Sequence, residues 1–207
     1  MTTLPLYWGE AVEVGELLRD KQATSWVRDA LETRFIIDPL DTLDDTALAG
    51  LDRLVLAQPR ALTPEENVAL DAWVRRGGRL LLFADPMLTR ESRFAIGDRR
   101  RPQDVVLLSP ILTHWGLALT FDPDQPENER VVEIAGMRLP IAVAGTLGVL
   151  PGGSCEVSGE GVLARCPMGD GSVTVLADAA LLDEAETGAA EERRRAAFLT
   201  LVQTAIG

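Results

Sequence analysis

The sequence predicts an α/β fold built on a mainly parallel sheet, and three observations carry that prediction. Leu54–Ala57, Leu80–Ala84 and Val173–Ala177 are continuous apolar runs of strand length, the pattern of strands covered on both faces. A helix with clear start and stop signals lies between the first two runs. The connections are short, and strand alternating with helix is the order that builds parallel sheets.

The elements follow in chain order. Leu4–Trp8 reads as a first strand, and Gln22–Arg34 as a helix with Trp26, Val27, Ala30 and Leu31 on one side. Phe35-Ile36-Ile37 reads as a short buried strand stopped by Asp38-Pro39, and Asp44–Leu51 as a short capped helix. After Arg53–Ala57, Thr63 is placed to N-cap a helix, with Pro64 in its first position and Glu66 completing a capping box. Gly77-Gly78 ends that helix. Residues 87–104 form a long polar loop. Ser109–Trp115 is a helix and Leu117–Phe121 a strand. Val131–Val143 and Gly153–Cys166 read as hairpins that extend the sheet in antiparallel fashion, and Glu191–Ile206 as the closing helix. No internal repeat or low-complexity linker divides the 207 residues, so 1–207 is expected to form one domain, with 131–166 as its hairpin extension.

Composition narrows the function. Apolar residues make up 46% and charged residues 25%, enough for a packed core. The net charge of −12 opposes binding to nucleic acid backbones and to anionic lipid through charge alone. No apolar run reaches the roughly 18–20 residues of a membrane helix, and no leader pattern precedes Leu4. A chain complete as given would be cytoplasmic. Cys155 and Cys166 flank a turn at Gly159-Glu160-Gly161, and two readings stand: a disulfide across the hairpin, or two half-buried thiols on neighbouring strands. With one histidine and no CxxC or HxxxH spacing, neither a metal site nor a cofactor is expected.

Chemistry in open α/β sheets gathers beyond the carboxyl ends of the strands. Gln58, Asp85 and Asp178 each follow a strand there, and Arg90 and Arg93 lie in the loop after Asp85. Together they are candidates for a ligand or partner edge that could grip a carboxylate, phosphate or sugar. Taken singly, each aspartate also reads as a plain strand-end cap. Catalytic machinery is not visible. Gly9–Gly15 lacks the dinucleotide pattern, the only lysine is Lys21, and no Gly-x-Ser-x-Gly elbow occurs. His114, beside Trp115, reads as a surface or packing residue. Of two arginine runs, 99–101 stays open as an anion site, whereas 193–195 is expected to pair with Glu191 and Glu192 within the helix.

One stretch has a familiar form. Leu54-Val55-Leu56-Ala57-Gln58-Pro59-Arg60-Ala61-Leu62-Thr63-Pro64-Glu65-Glu66, then Ala69-Leu70-Asp71-Ala72-Trp73-Val74-Arg75-Arg76-Gly77-Gly78 and a strand ending Ala84-Asp85-Pro86, resembles the GldG-like auxiliary domain of ABC-type transport systems. Ser172–Leu182 is similar to that family's late strand. The resemblance implies a three-layer flavodoxin-like or class I glutamine-amidotransferase-like sandwich. Where enzymes of that superfamily carry a cysteine after a central strand, this chain has Asp85-Pro86-Met87. It also implies an accessory role beside a transporter ATPase and permease, in a periplasmic or membrane-associated setting, with a small polar or saccharide ligand as a further prospect. Two rival readings stand beside it: a small hydrolase or sugar-acting enzyme using a carboxylate pair such as Asp85 and Asp178, and a protein-interaction domain that uses region 131–166 as an open sheet edge.

Overall fold

The computed structural model describes residues 1–7, 25–184 and 188–207. Its helices and strands in chain order are α1 (Trp26–Glu32), α2 (Asp45–Leu48), β1 (Arg53–Ala57), α3 (Pro64–Arg75), β2 (Arg79–Phe83), α4 (Ser109–His114), β3 (Leu117–Thr120), β4 (Arg130–Ile134) and β5 (Met137–Ile141). Then come β6 (Thr146–Val149), β7 (Glu156–Ser158), β8 (Leu163–Met168), β9 (Gly171–Leu176), a 3₁₀ turn (Ala180–Leu182) and α5 (Ala189–Ile206).

The main sheet has the order β1-β2-β9-β8-β7. β1, β2 and β9 run parallel in register, Leu54 beside Leu80 and Leu80 beside Val173, while β8 and β7 are added antiparallel. The apolar runs are continuous because both faces of these strands are covered. Leu81, Phe83 and Leu176 pack toward α1, α5 and the β4–β5 hairpin; Leu80, Leu82, Val173 and Val175 pack toward α3, α4 and α2.

α3 shows how local signals set the register. Thr63 accepts from the Glu66 amide, and the Glu66 carboxylate accepts from the Thr63 amide at 2.9 Å. At its far end the Gly78 amide donates to Trp73 O and the Gly77 amide to Val74 O, the paired bonds of a Schellman motif. Gly77 has φ +112°, and a Cβ on Gly78 would strike the Trp73 ring. Each glycine of the pair is therefore required for a different reason.

Four expectations change. Leu4–Trp8 does not form a strand over its described residues. Only Thr2 bridges to Ala57, after which the Leu6 amide folds back onto Leu4 O, because Pro5 offers no amide to a ladder. Phe35–Ile37 is not a strand either, and Ile36 is fully exposed. Residues 1–3 already hold part of the β1 edge, through Ala57 N to Met1 O and Thr3 N to Gln58 O, so the segment lies away from the ladder. Of the helix expected over 22–34, the described part begins at Trp26, with Ser25 as its N-cap. The region 131–166 is not one extension: β7–β8 continues the main sheet, whereas β4–β5 is a separate ladder, and β6 pairs with β3. Gly9–Gly15 and Lys21 lie outside the described residues.

Candidate functional site

The carboxyl ends of β1, β2 and β9 meet at one corner, where three of the five candidate residues converge. Gln58 leaves β1 with φ +45°, a left-handed conformation uncommon for a residue with a side chain. Its own amide donates to Phe83 O. Its side chain then acts as one more rung beyond β2: Oε1 accepts from the Asp85 amide at 2.9 Å, and Nε2 donates to Asp85 O at 3.0 Å and to Gln103 O at 2.8 Å. Every polar group of this fully buried amide is matched.

Both aspartates are equally engaged. Asp85 accepts from the amides of Met87 (2.8 Å) and Ala179 (3.1 Å), one on each oxygen. Asp178 accepts from Ala142 (2.9 Å) and Ala180 (2.6 Å), again one on each oxygen. Asp85 thus ties β2 to the exit of β9, and Asp178 ties that exit to the end of β5. Asp85 is 1% exposed and Asp178 is closed to solvent. Burial, only partly offset by these amides, pushes the Asp85 carboxyl up to about 6. The same burial, together with the neighbouring Asp85 charge, pushes Asp178 well above the usual carboxylate range.

The arginines sit outside this corner, on the loop that follows β2. Residues 84–108 carry no helix or strand. The loop is fixed at both ends, Leu88 N to Asp104 O and Val106 N to Asp85 O. Arg90 is mostly buried and lies 3.6 Å from Asp183, and its Nη1 has no hydrogen-bond acceptor. Asp183 is pushed up to about 6 by burial, against the pull of Arg90 and Arg194. Arg93 is exposed. The corner therefore gathers Gln58, Asp85 and Asp178 in the interior, holds Arg90 beside them through Asp183, and leaves Arg93 at the surface. Sequence reasoning missed Asp183. It follows a short turn that no periodicity marks.

The remaining candidates resolve locally. Arg100 pairs with Asp98 at 2.7 Å and Arg101 with Asp104 at 2.9 Å, so two members of the first arginine run serve the loop itself. His114 is exposed and lies 3.3 Å from Asp71, which also accepts from Trp115 Nε1 and Arg75. Cys155 and Cys166 are joined as a disulfide with 4.1 Å between their Cα atoms, continuing the β7–β8 ladder by one pair. Among the described residues, no group of histidine, cysteine and carboxylate side chains could hold a metal ion. A cleft of 560 Å³ opens beside β1, between that strand and residues 34–41, with Phe83 and Phe198 among its lining.

An α/β domain with an internally bonded strand-end corner is the class this geometry defines. The family model described as an ABC-type uncharacterized transport system matches residues 13–129, more than half of the chain. The chain belongs to this family of ABC-type transport-system auxiliary domains. No curated protein sequence matches it. Among solved structures, a cytoplasmic protein of Salmonella typhimurium LT2 superposes with a TM-score of 0.58 at 12% identity, over 87% of this chain and 86% of that one. An exo-β-1,4-mannosidase of Opitutaceae bacterium strain TAV5 superposes with a TM-score of 0.51 at 13% identity, over 82% of this chain. The chain spans only 27% of that mannosidase. Likenesses at this level of identity show the fold alone.

Proposed function

We propose that this chain is a noncatalytic binding or scaffolding domain of an ABC-type transport system, docking on the ATPase and permease subunits through the loop after β2. The observation that carries the reading is the bonding of Asp85. At the position after a central strand, where an amidotransferase-like enzyme would present a nucleophile, a buried carboxylate spends both oxygens on backbone amides. Gln58, Asp85 and Asp178 act here as positioning residues that hold the strand ends and the loop origin. Arg90 and Arg93 then meet the partner or a small polar ligand. The family match supports the transport setting. Helices and hairpin on one sheet face, with α3 and α4 on the other, support a three-layer flavodoxin-like or glutamine-amidotransferase-like sandwich of the GldG-like kind, formed by 1–207 as one unit. The disulfide fits an oxidising, extracytoplasmic compartment. Among the described residues, no helix is long and apolar enough to cross a membrane.

Co-purification with the cognate ATPase and permease tests the proposal. Wild-type chain should be retained, and an Arg90→Glu/Arg93→Glu variant should be lost from the complex. Retention of the double variant at wild-type level would refute the docking edge.

One observation favours a second reading. Asp85 and Asp178 are neighbouring carboxyls that both titrate above the ordinary range, which a carboxylate-pair hydrolase also requires. Burial, with the two carboxyls close together and the backbone amides only partly opposing it, accounts for the shifts without catalysis. Turnover of a glycoside or ester panel that disappears in Asp178→Asn would establish the enzyme reading instead.

A further inference from the structure

The second arginine run does not pair as its spacing suggests. Arg194 reaches out of α5 to Glu129 and to the Ala180 carbonyl. Among the described residues, neither the Arg193 nor the Arg138 side chain makes an ion pair or hydrogen bond. Glu133 stands opposite Arg138 in the β4–β5 ladder and forms no ion pair with it.

All three arginines line one cleft of 370 Å³ between the β4–β5 hairpin and α5. Its strand wall adds Val131, Met137 and Pro140, and its helix wall adds Ala190, Ala196 and Thr200. Small side chains on α5 and Gly136 at the hairpin turn leave the space open. Among the described residues, Glu129 is the only carboxylate in the lining, and Arg194 already engages it. In a chain of net charge −12, the described lining of this cleft is cationic by two.

We infer that the cleft is a binding site for a small organic anion, a carboxylate carried on a short apolar body. Its volume falls within the range of small-ligand sites, roughly 300–1,000 Å³. Guanidinium forks donate paired N–H bonds to carboxylates, and Arg138 and Arg193 have theirs uncommitted. The valine, methionine, proline and alanine walls favour an apolar body beside the charge. A bare inorganic anion would leave those walls wet, and a neutral apolar molecule would leave the guanidinium groups unanswered. The site is separate from the strand-end corner and does not depend on the docking role proposed for it.

The test is a titration of the full chain with hexanoate, followed through the backbone amide signals, with hexanol and inorganic phosphate as parallel titrants. Hexanoate should produce saturable shifts centred on Val131, Met137, Ala196 and Thr200, several-fold tighter than either control. An Arg138→Glu/Arg193→Glu variant, altered only at exposed positions, should keep the rest of its spectrum and bind hexanoate at least tenfold more weakly. Absence of saturable shifts in the cleft would overturn the inference. So would equal binding of hexanol or of phosphate, or a double variant that binds as the wild type does.

Discussion

Gln58 and Glu66 do similar work at opposite ends of one connection. Gln58 satisfies three backbone groups beyond β1. Glu66 caps α3, receives both terminal nitrogens of Arg60, and accepts the Leu43 amide at 3.2 Å. Truncating either residue strands buried donors or acceptors. Gln58→Ala should cost about 3 kcal/mol of unfolding free energy, and Glu66→Ala about 2 kcal/mol through the lost cap and the unpaired Arg60. Chemical denaturation reads both; a change below about 0.5 kcal/mol in either would contradict the assigned roles. The titrating carboxyls make opposite contributions with pH. Asp85 and Asp183 rise from 3.8 to about 6 in the folded chain, and Asp178 also rises. The fold therefore holds protons that the unfolded chain releases. Their stabilisation is complete below the unfolded value and is lost as pH rises through the folded one. The Arg60 partnership instead lowers Glu66 from 4.5 to about 2, a contribution present above 4.5 and lost on further acidification. The denaturation midpoint should thus rise from about pH 6.5 to about pH 5, and Asp178→Asn should flatten that rise. A midpoint that is flat or falling over this window would show that the corner carboxyls are not desolvated.

Among the elements, those legible in the sequence were the ones whose signals are local. The α3 capping box and the Gly-Gly stop act within one turn of helix, and both appear where the sequence puts them. β1, β2 and β9 were legible because burial on both faces demands an unbroken apolar run. Phe35–Ile37 carries the same kind of run without joining the sheet, because pairing needs a vacant neighbour, and residues 1–3 lie along part of that edge. Nothing in the run itself reports this. β6 went unrecognised since Thr146–Val149 holds a glycine and only one buried residue. At the site, Asp85 and Asp178 were legible as strand-end residues. Their bonding was not, since Ala142 and Ala179 become partners only after long-range folding. Two element-level predictions follow from contacts. A Cβ at Gly171 would overlap the backbone oxygens of Val74 and Gly78, where α3 and β9 begin and end against each other. Gly171→Ala should therefore cost about 3 kcal/mol, and a neutral result by thermal melting would mean that this junction yields easily. Reducing the disulfide, which closes a loop across a sequence separation of 11, should lower stability by about 3 kcal/mol. Thiol titration of the unreduced protein should find no free cysteine, and two reactive thiols would contradict the bridge.

At the scale of the whole molecule, charge is distributed against the overall balance. The chain is strongly acidic, yet five arginines lie on the loop after β2 and three line the α5 cleft. Membership in the transport auxiliary family supplies the setting, and in the proposed reading the buried carboxylates of the strand-end corner serve as architecture rather than chemistry. The two readings of that corner separate cleanly in Asp178→Asn. The variant keeps the shape of the side chain but loses one of the two oxygens that accept from backbone amides, so a modest drop in stability is expected while the surface stays intact. The most direct measurement is the affinity of the chain for the assembled ATPase and permease, taken for wild type, Asp178→Asn and Arg90→Glu/Arg93→Glu under conditions where all three are folded. Near wild-type binding by Asp178→Asn, with at least a tenfold loss in the arginine variant, is the predicted result. Wild-type affinity in the arginine variant, or no measurable binding by the wild-type chain, would contradict the account.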